Sequence, residues 1–412
     1  MPPLNYKPLK TKTDPNDAPA IAPVATTRLN SLDAYRGFVM LLMMGEVLSF
    51  QHVSASLPGN SFWNFLAFNQ SHVAWAGCSL HDLIQPSFSF MVGVALPFSI
   101  ASRLSRGCKF WDLLKHAIIR SVILIALGIF LRSMWSDQTY FTFEDTLSQI
   151  GMGYTFLFLL GFCKPRTQLI ALVVILVGYW AAFALYPLPG PDFDYASAGV
   201  TADWAGNFKG FAAHWNKNTN LAWGVDKWFL NLFPREHYFN FNEGGYSTLS
   251  FIPTLGTMII GLLAGNMLRS GKAPFVLVRR FVTIGIGLLA LSALLHFTGI
   301  APVVKRIWTP GWVIFSGGCC FLLLALFYGF MDAGEYKRKA LLLMVIGTNS
   351  IAAYILADGF GSFITKSLYT HFGHYDQIFG DAYSTLVKGI VVLTIDWLIL
   401  HWMYRKKVFI KV

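Results

Sequence analysis

The sequence predicts an all-α protein, a polytopic transmembrane helical bundle of about ten spans with both termini cytoplasmic. Three observations predict it. Of the 412 residues, 55% are hydrophobic and only 13% charged, against about 25% charged in a soluble globular domain. Mean hydropathy is +0.51, and the apolar residues gather in runs of about 20, enough to cross a hydrocarbon core. The basic residues fall between these runs and mostly on one side. So few charges could not cover a water-soluble fold of this size. Disordered chain, coiled coil and collagen are excluded by the same figures.

Along the chain, residues 1–28 hold Pro2, Pro3, Pro8, Pro15, Pro19 and Pro23 with Lys7, Lys10 and Lys12. That composition reads as a disordered cytoplasmic tail, and no apolar stretch follows at signal-peptide spacing. Residues 29–412 form the membrane domain. Spans are expected at 34–50, 78–102, 111–132, 145–163, 167–187, 247–268, 274–298, 309–331, 340–360 and 384–404. The segment 188–246 is too long for a simple connector. With Trp204, Trp215, Trp223 and Trp228, it reads equally as a lid over the bundle or as an aromatic collar at the membrane interface.

Orientation follows from charge. The tail, the loops at 103–115, 164–166, 269–280 and 337–339, and the end of the chain carry 21 Lys and Arg residues on one face. The other face has seven: Lys209, Lys217, Lys227, Arg235, Lys305, Arg306 and Lys366. The positive-inside rule puts the rich face in the cytoplasm, and an even number of spans preserves the alternation. The net charge of +11 therefore reflects membrane orientation rather than nucleic-acid binding. Cys78, Cys108, Cys163, Cys319 and Cys320 form no CxxC pair or Cys/His ligand cluster, so neither a metal site nor a disulfide framework is expected.

Polar groups inside spans cost free energy and mark candidate sites. Asp33 and Arg36 lie three apart on one helical face, and Glu46 follows late in the same span. His72, Trp75 and Asp82 lead into the second span, with Pro86 placed to kink it. An imidazole can accept and return a proton near neutral pH, which suits a general base. His116 and Arg120, one turn apart near the cytoplasmic side, suit an anion or simply lipid headgroups. Gln149, Asn349 and Asp396 lie inside spans and could equally join helices by buried hydrogen bonds. There is no Walker A loop, GxSxG elbow or HExxH.

The order Leu32-Asp33-Ala34-Tyr35-Arg36-Gly37, then His72-x-x-Trp75-x-Gly77-x-x-x-x-Asp82-Leu83-x-x-Pro86, then Phe88-x-Phe90-x-x-Gly93 resembles the heparan-α-glucosaminide N-acetyltransferase family, closest to its bacterial homologues. The match continues through Arg120-Ser121, Leu147-Ser148-Gln149-Ile150-Gly151, Gly256-Thr257-Met258 and Gly347-Thr348-Asn349-Ser350-Ile351. The resemblance covers residues 30–405. It implies a transmembrane acyltransferase that moves acetyl from cytosolic acetyl-CoA to the amine of an amino sugar beyond the membrane. The family's active-site histidine falls at His72. Where relatives carry Asn late in the first core span, this chain has Glu46; where the animal sequences have Gln-Arg in the fourth span, it has Ser148-Gln149. A bacterium makes no heparan sulfate, so another amino sugar or glycan is implied.

The expected site follows. His72 removes the acceptor's proton, and Asp82 is the candidate orienter, although ten residues of helix would set it deep. Trp75, Glu46 and Asn349 are expected at the acceptor, Trp75 stacking on a sugar face. Arg36, His116, Arg120 and Gln149 are expected at acetyl-CoA, with the basic groups on its phosphates. The co-substrate is acetyl-CoA, with no metal. Partners are a small-molecule or glycan acceptor and membrane lipids, with no nucleic acid and a homodimer left open. The location is the inner, plasma membrane. The alternative is a transporter of an amino sugar or its N-acetyl derivative, proton-coupled through Glu46, Asp82 and Asp396.

Overall fold

A computed structural model describes residues 29–334 and 340–410; the expected tail at 1–28 lies outside the described residues. Helices α1 (Asn30–Met44), α2 (Phe50–Ser56) and α3 (Ser61–Asn69) precede α4 (Ile84–Leu104), α5 (Phe110–Ser133), α6 (Thr146–Leu160) and α7 (Pro165–Leu185). After the short α8 (Leu221–Phe229) come α9 (Phe251–Leu268), α10 (Pro274–Phe297) and α11 (Pro310–Tyr328). The chain closes with α12 (Leu341–Thr348), α13 (Ser350–Ile355), α14 (Gly361–Phe372) and α15 (Ser384–Arg405). No strand occurs among the described residues, only one isolated bridge between Ala76 and Val304.

Among the described residues, seven helices are long and apolar enough to cross a membrane, or nine if each of two bent pairs counts as one span. One pair bends by 41° after Leu48, where Ser49 takes a left-handed φ of 49°. The other bends by 85° between Thr348 and Ser350. There the Asn349 amide donates to the Val408 carbonyl and accepts from the Ile410 N–H, tying the break to the end of the chain. The tenth expected segment is a 15-residue helix, α6, about 22 Å long at 1.5 Å per residue. Asp145 caps its first turn by accepting from the Leu147 and Ser148 N–H groups, which fixes its start.

The outer faces of α5, α7 and α10 expose Ile119, Val122, Ile170, Val174, Ile286 and Leu294. Such a belt would aggregate in water and suits lipid. This is a multi-pass membrane protein. Inside, backbones approach where side chains are absent. A Cβ at Gly93 would lie 1.9 Å from the Met258 carbonyl oxygen, and one at Gly261 would lie 1.9 Å from that of Phe90. Helices α4 and α9 thus cross through reciprocal glycines, the small-residue contact that membrane helices favour. Gly37 and Gly347 do the same for α1 and α12.

The segment between α7 and α9 folds against the bundle end. Trp215 is fully buried, and with Tyr179, Phe183 and Trp75 it forms a separate apolar core. Trp228 is 67% exposed. Residues Phe239 to Tyr246 of this segment form one wall of a cavity at the same end.

Candidate active site

The expected second span starts later than its hydropathy suggests. Residues 70–80 are not helical, and regular structure resumes at His81. Gly77 takes a φ of +109°, a backbone conformation open to glycine. Its N–H donates to the Val303 carbonyl, 3.1 Å, beside the Ala76–Val304 bridge. The chain therefore doubles back, and the depth expected for Asp82 disappears. His72 Nδ1 lies 2.7 Å from Asp82 Oδ1.

The surroundings of Asp82 hold its carboxylate in place. Its Oδ2 accepts from the Ser79 N–H at 3.0 Å, the Ser79 hydroxyl at 3.0 Å and the Val73 N–H at 3.3 Å. The Lys305 ammonium lies 3.3 Å from Asp82 Oδ1 and 3.1 Å from His72 Nδ1. Asp82 can accept from both neighbours. With Nδ1–H donating to the carboxylate, Lys305 bonds Asp82 and only abuts the ring. The lone pair of His72 then resides on Nε2. Burial draws the Lys305 ammonium down to about 8, against the upward pull of Asp82.

Arg306 secures the neighbourhood. Its guanidinium donates to the Val73 carbonyl at 3.0 Å and the Gly244 carbonyl at 2.7 Å, and it stacks over Tyr246 at 4.9 Å. It thereby joins the His72 segment, the 305–306 loop and the wall formed by residues 239–246. Trp308, nearby, is held at a left-handed φ of 49°, with its indole N–H donating to Thr257.

His72 and Lys305 line a cavity of about 720 Å³. Glu46, His81, Arg132, Glu144, Tyr246 and Asp358 stand among its other walls. The rings of His72 and His81 lie 4.6 Å apart. Burial raises the Glu144 carboxyl and the Tyr246 phenol from their ordinary ranges. The arrangement offers an oriented imidazole, a cation buried behind it and an acidic wall facing it.

Of the residues expected from sequence, His72, Asp82 and Glu46 meet here. Trp75 does not face the cavity: it is 2% exposed, donates to the Trp215 carbonyl and packs edge-on to Trp204. It braces the loop, leaving no free face for a sugar. Asn349 is committed to residues 408 and 410, as described above. The expected acetyl-CoA group is likewise dispersed. Gln149 is buried, donating to the Phe143, Ser247 and Thr248 carbonyls, near the His72 end. His116 bonds Arg103 at 2.7 Å, and Arg120 bonds the Tyr154 hydroxyl and stacks on its ring. Arg36 pairs with Asp33 at 3.5 Å on α1. Lys305 and Arg306 were the residues sequence reasoning missed. Their signal, two adjacent cations on the charge-poor face, is visible but does not point to His72.

No family model matches the sequence. Human heparan-alpha-glucosaminide N-acetyltransferase is 25% identical to the chain, over 93% of the chain and 60% of the relative. The Mus musculus protein of the same name is 22% identical, over 94% of the chain and 61% of the relative. The chain thus spans about 60% of the length of these curated relatives. With the similarity running through almost the whole membrane domain, the chain is a distant homologue of heparan-alpha-glucosaminide N-acetyltransferase.

Proposed function

We propose that this protein is a membrane N-acetyltransferase that moves acetyl from acetyl-CoA to the amine of an amino sugar or glycan on the far side of the membrane from the cytoplasm. The observation that carries the reading is the His72–Asp82 contact of 2.7 Å, backed by buried Lys305, beside a cavity large enough for a sugar. The names of the relatives supply the reaction class and the amino-sugar acceptor.

His72 acts as general base through Nε2, while Asp82 fixes the tautomer and ring orientation. As the acceptor nitrogen attacks the thioester carbonyl, its proton passes to Nε2. The C–N bond forms, the C–S bond breaks, and the coenzyme leaves as its thiolate, which takes up the proton. Asp82 stabilises the imidazolium formed in between. The Lys305 ammonium, 3.3 Å from Asp82 Oδ1, holds that carboxylate against the ring. Glu46, Glu144 and Asp358 suit an acceptor that arrives as an ammonium ion and gives up one proton to water before the free amine attacks.

The test is purified full-length protein with radiolabelled acetyl-CoA and simple amino sugars. Label recovered in an N-acetylated sugar supports the reading. Uptake of unmodified sugar into proteoliposomes with no acetylated product would overturn it.

A further inference from the structure

A second cavity, of about 870 Å³, lies between the end of α1, α14 and α15. Met43, Glu46 and Asp358 line both cavities, so the two adjoin. Its remaining walls mix polar groups with Met44, Val47, Ala357 and Val392. Ser362, Thr365, Lys366 and Tyr369 share one face of α14, and Lys388 and Asp396 share one face of α15. Asp396 is 2% exposed, and its Oδ1 has no hydrogen-bond partner. Among the described residues, neither the Lys366 nor the Lys388 ammonium makes an ion pair. Lys366 is exposed and Lys388 half-buried, so both ammonium groups are open to a ligand, while the orphaned carboxylate oxygen of buried Asp396 carries a cost that a polar ligand would relieve.

We propose that this compartment binds the anionic part of the acceptor: an amino sugar or glycan carrying a phosphate or carboxylate, held by Lys366 and Lys388, with Asp396 accepting from a hydroxyl. The inference rests on the acetyltransferase reading and narrows its substrate class. Two arguments favour the acceptor over the phosphates of the coenzyme. The compartment lies at the cavity end, opposite the Lys/Arg-rich loops that charge bias assigns to the cytoplasm. In addition, a neutral amino sugar would fit in the His72 cavity alone and leave both lysines unpaired, whereas two adjoining cavities suit a larger, charged acceptor.

The test is calorimetric binding of glucosamine and glucosamine 6-phosphate to the detergent-purified full chain, with acetyl-CoA omitted. The phosphorylated sugar should bind at least about 10-fold more tightly, because charge-assisted hydrogen bonds add this much. Lys366→Gln and Lys388→Gln should each remove about 10–100-fold from its affinity and change that for glucosamine by less than about threefold. Lys366→Arg should retain the preference, which separates lost charge from lost folding. Equal binding of the two sugars by the unaltered protein would overturn the proposal. So would Gln variants that weaken acetyl-CoA binding and leave both sugars alone, since the compartment would then belong to the coenzyme. Because binding is read without an acetyl donor, the two readings separate: a protein that binds the phosphate through Lys366 yet acetylates neither sugar once acetyl-CoA is added would refute the catalytic reading and leave the anion site standing.

Discussion

Lys305→Met isolates the cation behind the His72–Asp82 pair. In the protein the ammonium is 5% exposed and 3.3 Å from a carboxylate that is 1% exposed. Removing one partner of such a buried pair typically costs about 3–5 kcal/mol. Asp82 keeps three donors on Oδ2 and His72 on Oδ1, which lowers the expected loss to about 1–3 kcal/mol. At about 1.4 kcal/mol per factor of ten, the part expressed in the transition state corresponds to a turnover loss of about 10–100-fold. Acetyl-CoA affinity should change little. The pH dependence supplies the sharper test. Lys305 loses its proton in the folded state near 8 and has an ordinary value of 10.5. Between these values the unfolded chain binds more protons, so this group makes stability rise with pH. The charge beside Asp82 vanishes over the same window, so activity should fall as pH rises through about 8. Acetyl transfer by mass spectrometry and thermal melting in detergent, both from pH 6 to 10, would read the two opposed trends. In Lys305→Met both trends should disappear. A variant with unaltered turnover and an unaltered alkaline limb would refute the role given to Lys305.

Three further outcomes are expected. Gly261→Ala would press a methyl group against the Phe90 carbonyl; overpacking of this kind costs about 1–3 kcal/mol or more, and the melting temperature should drop while a Gly287→Ala control, where nothing lies within 4 Å, stays near its starting value. Asp226 is buried in the segment between α7 and α9, and burial raises its carboxyl to about 7. Its folded state favours the proton, so its contribution to stability falls as pH rises from about 4 to 7; Asp226→Asn, which keeps an acceptor for the Thr248 N–H, should melt higher at pH 8 and show less pH dependence over that window. A reporter fused after Val412 should read cytoplasmic and one inserted near Asn207 should read external; the same side for both would break the charge-based topology.

The bundle was legible because apolar length is a local property. Each of the ten expected segments is helical, but their integrity as spans was not readable. The break at Asn349 depends on hydrogen bonds to residues 408 and 410, which no local window contains. The pairing of His72 with Asp82 was readable as a constellation ten residues long, yet its geometry rests on the unwound stretch at Gly77. Lys305 was not legible at all, being 233 residues from His72 in sequence and indistinguishable there from an ordinary loop cation. Trp75 shows the converse. Its position beside His72 suggested a sugar platform, whereas distant Trp215 and Trp204 enclose it.

The central claim is that His72, oriented by Asp82, removes the proton from the acceptor amine. The measurement that tests it most directly is acetyl transfer by purified His72→Ala, alongside acetyl-CoA binding by the same preparation. Loss of a general base should lower turnover by about 10²–10⁴-fold, while the dissociation constant for acetyl-CoA should stay within about threefold of its starting value. A folded His72→Ala protein that transfers acetyl at nearly the original rate would contradict the account.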